Sequence, residues 1–341
     1  MTDAVVQSSS AEMQNLSGKA VTFEDVEQAA GRIRGYAVRT PLLQHPALDE
    51  RAGAKVLVKP ESLQRSGSFK FRGAFNCLNL IPEAERTKGV VACSSGNHAQ
   101  GVAASARILG ISATIVMPAD APRVKLDRTR DFGAKVVTYD RAHEDRDRIA
   151  AEICAENDAT FVHPFNDPAV IAGQGTVGLE FAQQADELGQ KLDDVLACTG
   201  GGGLSSGIAL ALAVKSPSTR FHTVEPELFD DYKRSLEAGV LLSNAARSGS
   251  ICDALLSETP GEIGFSILSQ LASEGLTVSD EEVLEAVAFA FRELKLVVEP
   301  GGAAALAAVL SGKLPVEGKT IGLVITGGNI DPDMLSRALS R

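Results

Sequence analysis

The sequence predicts an α/β protein of two domains, in which parallel sheets are covered by helices on both faces. The chain has 341 residues, which corresponds to about two domains at roughly 150 residues each. Short runs of β-branched and apolar residues alternate with segments of helical length. Buried apolar strands that alternate with helices indicate βαβ units and parallel sheets. Hydrophobic residues make up 44% and charged residues 23% of the chain, which excludes a disordered, collagen-like or coiled-coil protein.

The elements follow one another in a regular order along the chain. Seven runs are predicted as strands: KVLVK (55–59), GVVAC (89–93), ATIVM (113–117), KVVTY (135–139), DVLAC (194–198), FHTV (221–224) and TIGLVIT (320–326). Three helices are predicted at 98–109, 122–131 and 141–157. We expect a flexible tail (1–20), a small inserted domain (88–167) and a large domain formed by 21–87 and 168–341. In such folds ligands bind where strands end and helices begin.

Charge and cysteine usage limit the classes of partner. Lys plus Arg is 33 and Asp plus Glu is 44, giving a net charge of −11, which argues against binding to nucleic acid or to an anionic membrane. The five cysteines are scattered without a C-x-x-C pair, as is typical of reduced thiols in the cytosol. The N-terminus lacks the apolar core of a signal peptide, and the uncharged stretch 195–214 contains a glycine run that hydrocarbon would not tolerate. We therefore expect a soluble cytoplasmic protein.

Three motifs have the residue pattern of a known site but lack the neighbouring strands or residues that the site requires. GQGTVG (173–178) fits the dinucleotide pattern, yet the preceding NDPAVIA is not a strand. A helix start packed closely on its neighbour is therefore favoured, and an NAD-dependent oxidoreductase is a remote alternative. GLSSG (203–207) matches a hydrolase nucleophile elbow, but no acid lies between Ser205 and His222, the only later histidine, so the order of the triad cannot be built. GKT (318–320) precedes a strand instead of following one, which excludes a P-loop.

Three other segments indicate a phosphate, an amine and a carboxylate. TGGGGLSSG (199–207) follows a strand and opens a helix, so several backbone N–H groups can turn inward around a monophosphate. Lys70 lies between Phe69 and Phe71, and apolar surroundings lower the pKa of a lysine and make its amine nucleophilic. ACSSGNHAQG (92–101) is a strand followed by a serine-rich helix start, which suits a carboxylate. Together these segments suggest pyridoxal phosphate acting on an amino acid.

Five motifs in this order, SFKFRGA, SSGNHAQG, HPFNDPAVIAGQGT, GGGGLSSG and ITGGN, closely resemble the fold-type II pyridoxal-phosphate (PLP) enzymes, which share the fold of the tryptophan synthase β subunit. The similarity covers roughly residues 22–335 and is strongest to the threonine/serine dehydratase and serine racemase branch. It implies that Lys70 forms the Schiff base with the cofactor and later moves protons at Cα. The other implied cofactor contacts are Phe69 against the ring, Asn97 at its 3-oxygen, Thr326 at its nitrogen, and Gly200, Gly201, Gly202, Gly203 and Leu204 at the phosphate.

The resemblance also implies where substrate and metal bind. Ser95, Gly96, Asn97 and His98 would hold the substrate carboxylate, and Ser95 is the catalytic acid/base of racemase-like members. A divalent cation would bind at Glu225, the carbonyl of Phe229, and Asp231, since oxygen ligands suit Mg²⁺ or Ca²⁺. The alternative for these acidic residues is a solvated helix start.

The expected reaction is α,β-elimination from a β-hydroxy amino acid such as threonine or serine, giving a 2-keto acid and ammonia. Arg146 stands where racemase-like members use an active-site arginine. If it points inward it can bind a second carboxylate, which favours 3-hydroxyaspartate, whereas a solvated arginine is the alternative.

Cys93 stands where racemases have histidine, which weakens the racemase alternative, and Phe165 resembles the residue of the dehydratases at that position. A non-enzymatic amino-acid sensor is a further alternative on the same fold. The substrate is expected to be a small amino acid, and the protein is expected to form a homodimer.

Overall fold

The computed structural model describes residues 21–94, 96–121, 123–140, 142–246 and 248–341. The described residues form ten strands in two sheets. The strands are β1 (Leu43–Gln44), β2 (Lys55–Pro60), β3 (Val90–Cys93), β4 (Ala113–Pro118), β5 (Lys135–Tyr139), β6 (Thr160–Phe161), β7 (Asp194–Cys198), β8 (Arg220–Pro226), β9 (Ala272–Val278) and β10 (Thr320–Ile325).

Helices connect these strands. They are α1 (Phe23–Ile33), α2 (Pro46–Ala52), α3 (Lys70–Asn79), α4 (Asn97–Leu109), α5 (Arg123–Asp131), α6 (Arg146–Asn157), α7 (Pro168–Glu187), α8 (Gly203–Lys215), α9 (Asp231–Ala238), α10 (Glu262–Leu271), α11 (Asp280–Phe289), α12 (Pro300–Leu310) and α13 (Pro332–Leu339). Among the described residues, no helix is both long and apolar enough to cross a bilayer.

The larger sheet has the order β1-β2-β10-β7-β8-β9, and the smaller one β5-β4-β3-β6. Every pairing is parallel except that of β1 with β2. Successive residues of β7 belong to opposite cores: Leu196 packs with α11 and α12, whereas Val195 and Ala197 pack with α7 and α8. The apolar runs are therefore covered on both faces, as parallel sheets require, and the predicted α/β class is confirmed.

All seven predicted strands are present, and three further strands were not predicted. β1 and β6 are two residues long, too short to give a periodic signal. β9 lies at the sheet edge, carries exposed Ser273 and Glu274, and pairs with a shift of register. The third helix begins at Arg146, later than the predicted Arg141, because the Asp145 side chain accepts the N–H groups of Asp147 and Arg148 and caps the helix there. Arg141 itself lies outside the described residues.

The smaller sheet lies wholly within residues 88–167, and the larger sheet wholly outside that range. The core beneath the smaller sheet also includes Ala74, Cys77 and Leu78 of α3, so one helix of the flanking segment packs on it. The predicted division into a small inserted domain and a large domain stays a prediction, and the predicted tail 1–20 lies outside the described residues.

The glycine pattern GQGTVG lies inside α7, not in a turn after a strand. At Gly173 a Cβ atom would come within 2.7 Å of the Arg72 carbonyl oxygen, and at Gly175 within 2.9 Å of the Gly207 carbonyl oxygen. These glycines let α7 approach α3 and α8 closely. A dinucleotide loop would need a strand before it and a helix N-terminus after it, so the geometry gives no support to the oxidoreductase alternative.

Candidate active site

The segments singled out in the sequence meet at the carboxyl ends of parallel strands. Ser94 and Gly96 follow β3, the glycine loop follows β7, and Thr326 follows β10. The Lys70 segment is joined to this edge by a bridge between Ser68 and Gly327 and by a 3.1 Å hydrogen bond from the Phe69 N–H to the Thr326 carbonyl oxygen. Ligands of open parallel sheets bind at this edge, so the topology brings the predicted residues to one place.

Lys70 is the first residue of α3, and its side chain is turned into the protein. Its Nζ donates a 2.6 Å hydrogen bond to the Pro164 carbonyl oxygen and lies 5.3 Å from the centre of the Phe69 ring. Burial lowers the pKa of this amine to about 8, because removal from water disfavours the charged form. Lys70 is thus an amine with raised nucleophilicity.

A buried ion network anchors the helix that begins with Lys70. The Arg72 guanidinium binds both Glu61 oxygens at 2.7 and 2.8 Å and both Glu180 oxygens at 2.8 and 2.9 Å. Lys59 Nζ contacts Glu180 at 2.8 Å and Gln184 at 2.7 Å. Burial alone would raise the pKa of Glu61, but the Arg72 charge and hydrogen bonds hold it below its usual value. The network joins α3 to β2 and α7 and restrains the position of Lys70.

The glycine loop presents unpaired donors. Within the described part of the chain, none of the backbone N–H groups of residues 200–204 donates to another protein group. Gly202 has a φ of +86°, and a Cβ atom there would lie 1.8 Å from the Tyr232 hydroxyl oxygen, so no other residue fits without displacement. A row of free N–H groups at the start of α8 is a site for an anion, and it fits the predicted phosphate.

The carboxylate loop is only partly described, because Ser95 lies outside the described residues. The Gly96 N–H donates to Ser94 Oγ at 3.1 Å, and Asn97 opens α4. His98 is buried, and its Nε2 lies 3.0 Å from the Val162 carbonyl oxygen. Burial, followed by the charge of Lys70, lowers the pKa of His98 to about 3, so the ring is neutral. Its imidazole is held by a carbonyl group, which leaves the helix-start N–H groups as the donors for a carboxylate.

Arg146 lies at the rim of the site. Its side chain is 56% exposed, with Nε 3.5 Å from Asp147. Its carbonyl oxygen is 3.5 Å from the Cys93 sulfur at the end of β3. Burial, then the charge of Lys70 and last that of Arg146, lower the pKa of the nearby His163 to about 4. Among the described residues, Arg146 forms no hydrogen bond or ion pair with the residues predicted to bind the cofactor or the substrate.

The predicted metal ligands adjoin Tyr232, whose hydroxyl donates a 3.3 Å hydrogen bond to a carbonyl oxygen of the glycine loop. Both Glu225 oxygens accept backbone N–H groups, of Tyr232 and Lys233, at 2.8 Å. Asp231 Oδ1 accepts from Asn244 at 2.7 Å. Asp231 Oδ2 is buried without a partner in the described structure. Among the described residues, no group of three or more His, Cys, Asp or Glu side chains could hold a metal ion, so the predicted Mg²⁺ or Ca²⁺ is not supported by a cluster of that kind.

Glu299 and Asn329 are two residues of the site that sequence reasoning missed. Glu299 precedes α12 and accepts from Asn97 Nδ2 at 2.5 Å, and Asn329 Nδ2 donates to Asn97 Oδ1 at 2.7 Å. Asn329 ends the quoted ITGGN motif but had no role assigned to it. The available signal for Glu299 was a lone acid before the apolar helix PGGAAALAAVL, a position where a carboxylate must find a buried partner.

A family profile, related sequences and solved structures all match this chain over nearly its whole length. The profile of the family described as "Pyridoxal-phosphate dependent enzyme" matches residues 33–327. An L-threo-3-hydroxyaspartate ammonia-lyase of a Pseudomonas species is 43% identical over 310 residues, covering 91% of this chain and 96% of the relative. A serine racemase of Schizosaccharomyces pombe is 39% identical, covering 94% and 98%. The crystal structure of a threonine deaminase from T.th. has a TM-score of 0.85 and 44% identity, covering 91% and 99%.

These matches extend over nearly the whole chain, and the site geometry fits the cofactor that the family name specifies. A desolvated lysine amine and a row of unpaired N–H groups lie at one sheet edge, as a covalently held phosphorylated aldehyde requires. The chain belongs to the family of pyridoxal-phosphate dependent enzymes, in its fold-type II group.

Proposed function

We propose that the protein is an ammonia-lyase that removes the β-hydroxyl and the amino group of a small hydroxy amino acid, threonine or serine, to give a 2-keto acid and ammonia. The class of reaction agrees with relatives named threonine or hydroxyaspartate ammonia-lyase and dehydratase. The observation that carries the proposal is the desolvated amine of Lys70, with its lowered pKa, beside the unpaired N–H row at residues 200–204.

Each residue of the site has a distinct task in this reaction. Bound pyridoxal phosphate supplies stabilisation of negative charge at Cα of the substrate. Lys70 holds the cofactor and, once its amine is released, takes the proton from Cα. Because burial lowers its pKa to about 8, this amine is unprotonated at neutral pH more often than the amine of an exposed lysine. The N–H groups of 200–204 would bind the phosphate, and those of Asn97 and His98, which open α4, would bind the substrate carboxylate.

Phe69 and Thr326 complete the proposed cofactor contacts. The Phe69 ring lies beside Nζ of Lys70 and would pack against the cofactor ring, while the Thr326 hydroxyl would meet the ring nitrogen. A hydroxyl, unlike a carboxylate, would not stabilise a proton on that nitrogen. Thr326 would thereby favour rapid loss of a β-leaving group.

A second candidate substrate is 3-hydroxyaspartate, for which relatives 43% and 40% identical to this chain are named. Arg146 is more than half exposed, and its ion pair with Asp147 is exposed as well, so turning inward would break only a weak contact. An arginine that turns inward over the substrate would bind a second carboxylate through two parallel hydrogen bonds. Serine racemisation remains the third possibility and depends on Ser95 as acid/base.

The substrate is tested by comparing kcat/KM for threonine, serine and both 3-hydroxyaspartate diastereomers, before and after the change Arg146→Ala. If Arg146 grips a second carboxylate, its removal lowers kcat/KM for the acidic substrate by about 10-fold to 100-fold and that for threonine by less than about twofold. Arg148→Ala is the matched control, since Arg148 lies on the same helix and pairs with Glu152 at the surface. An equal loss for both substrates would show that Arg146 does not select an acidic side chain.

We also propose a divalent cation, Mg²⁺ or Ca²⁺, at Glu225, Asp231 and the Phe229 carbonyl. The buried and unpartnered Asp231 Oδ2 supports it. After treatment with a chelator, adding CaCl₂ or MgCl₂ to the holoenzyme is expected to raise Tm by a few degrees once the cation exceeds its Kd about a hundredfold. The Asp231→Asn variant should show no such rise, and an equal rise in that variant would place the cation elsewhere.

A cytoplasmic homodimer completes the proposal. The five cysteines are all unpaired, as in a reducing compartment. Sedimentation equilibrium of the holoenzyme measures the oligomeric state, and a monomer at micromolar concentration would contradict the dimer.

A further inference from the structure

The amide group of Asn97 is held at both ends by other side chains. Its oxygen accepts a 2.7 Å hydrogen bond from Asn329 Nδ2, and its nitrogen donates a 2.5 Å hydrogen bond to Glu299 Oε1. A primary amide carries two N–H donors and one oxygen. With the oxygen and one N–H occupied, a single N–H is left for a ligand.

In its ionised form Glu299 can only accept hydrogen bonds, so it requires the N–H end of the Asn97 amide to face it. Without this partner only Asn329 would hold the amide, and a rotation by half a turn that presents the amide oxygen to the cofactor would cost less. An oxygen directed at the negatively polarised 3-oxygen of the cofactor ring would repel it, whereas an N–H attracts it. The orientation of the Asn97 amide thus decides whether its contact with the 3-oxygen of the cofactor ring is attractive or repulsive.

Glu299 is itself held in place by close packing. It is 3% exposed, and a Cβ atom on Gly327 would lie 1.9 Å from its Oε1, so only glycine leaves room for the carboxylate. Burial and then the charge of Asp253 raise the pKa of Glu299 to about 7, while the Asn97 hydrogen bond and the charge of Lys125 act in the opposite direction.

Asn329 is restrained from the other side. Its Nδ2 also donates to the Ser66 carbonyl oxygen at 2.8 Å. The three side chains therefore form a continuous chain, Ser66 carbonyl–Asn329–Asn97–Glu299, across the segments that carry Lys70 and Thr326. Hydrogen-bonded chains of this kind fix the orientation of the groups within them.

We propose that Glu299 and Asn329 are positioning residues that fix the Asn97 amide with one N–H directed at the ring oxygen of pyridoxal phosphate. The inference rests on the proposed function for the role of Asn97. It adds that Glu299 affects the affinity for the cofactor only when Asn97 is present.

A double-mutant cycle on cofactor affinity tests this dependence. Pyridoxal phosphate is titrated into the full-length apoprotein of the wild type, Asn97→Ala, Glu299→Leu and the double variant, and the visible absorbance of the Lys70 adduct gives Kd. Glu299→Leu is expected to weaken binding about tenfold when Asn97 is present and by less than about twofold in the Asn97→Ala background. Glu299→Gln, which keeps the acceptor oxygen, should stay within about threefold of the wild type.

An equal loss in both backgrounds would mean that Glu299 acts through the fold, and unchanged binding of Glu299→Leu would mean that it has no role; either result overturns the inference. If the leucine variant does not fold, the same cycle with Asn329→Ala and Asn97→Ala applies, because Asn329 holds the other end of the amide. Failure of the proposed function looks different, since the wild type would then form no Lys70 adduct or release no ammonia.

Discussion

Replacing Lys70 by alanine is expected to give a colourless protein whose release of ammonia from serine or threonine falls by at least about 10³-fold. The variant loses both the amine that would hold the cofactor and the base that removes the Cα proton, and positioned general bases alone contribute about 10²-fold to 10⁴-fold. The measurement is the visible spectrum of the purified protein together with coupled assays of keto acid and ammonia. Borohydride reduction of the wild type followed by mass spectrometry locates the covalent adduct.

Lys191→Ala is the matched control, because Lys191 is exposed in the loop before β7. It should keep the colour and the activity of the wild type. An adduct on any other side chain, or a yellow and active Lys70→Ala variant, would remove the basis of the proposed chemistry.

Removing Arg72 is expected to cause the largest loss of stability of any single change in the ion network beneath α3. Arg72→Met leaves the fully buried Glu61 carboxylate with the charge of Lys59 and a 2.7 Å hydrogen bond from the Thr40 hydroxyl, but without its two guanidinium hydrogen bonds. Breaking a buried pair from one side costs about 3–5 kcal/mol, since the remaining charge stays desolvated. Urea unfolding of the holoenzyme measures the difference in the free energy of unfolding.

Arg148→Met serves as the control, because Arg148 and Glu152 form a surface pair at 2.6 Å in which both side chains are more than half exposed. Such pairs contribute about 0–1 kcal/mol. If the two variants lose equal stability, the buried network does not have the energetic role assigned to it.

The pH dependence gives an independent check on Arg72. In the wild type the folded-state pKa of Glu61 lies below its ordinary value of 4.5, so its contribution to stability is present above that value and is lost as the pH falls through the folded pKa. Without Arg72, burial would instead raise the pKa of Glu61. The deficit of Arg72→Met should therefore be smaller at about pH 5 than at about pH 8, and a deficit independent of pH would argue that Glu61 is not the group left unpaired.

Local chemistry explains why much of the site was predictable. The glycine run after β7, the serine-rich start of α4 and a lysine between two phenylalanines are short segments whose properties follow from their own residues. The ordered motifs then identified the family. Neither argument assigns a partner to a side chain, and this is why Asn329 was quoted without a role and the contact of the His98 ring with Val162 was not foreseen.

Edge elements and long-range contacts were less predictable for a physical reason. β9 has few buried positions, because an edge strand packs on fewer neighbours, and its sequence therefore lacks a strand pattern. The contact between Asn97 and Glu299 joins residues 202 positions apart in the chain. No local pattern encodes such a separation.

The amino-acid sequence by itself determined the α/β class, the βαβ order and the chemical nature of the Lys70, glycine-loop and carboxylate-loop segments, because these depend on periodicity and on residues close together in the chain. The tertiary structure decided which of these groups have partners: it left the loop N–H groups free, placed Arg146 at the rim, and buried Glu299 against Gly327 and Asn97. Those outcomes depend on how separate strands and helices pack, and packing brings together residues that the linear order keeps apart.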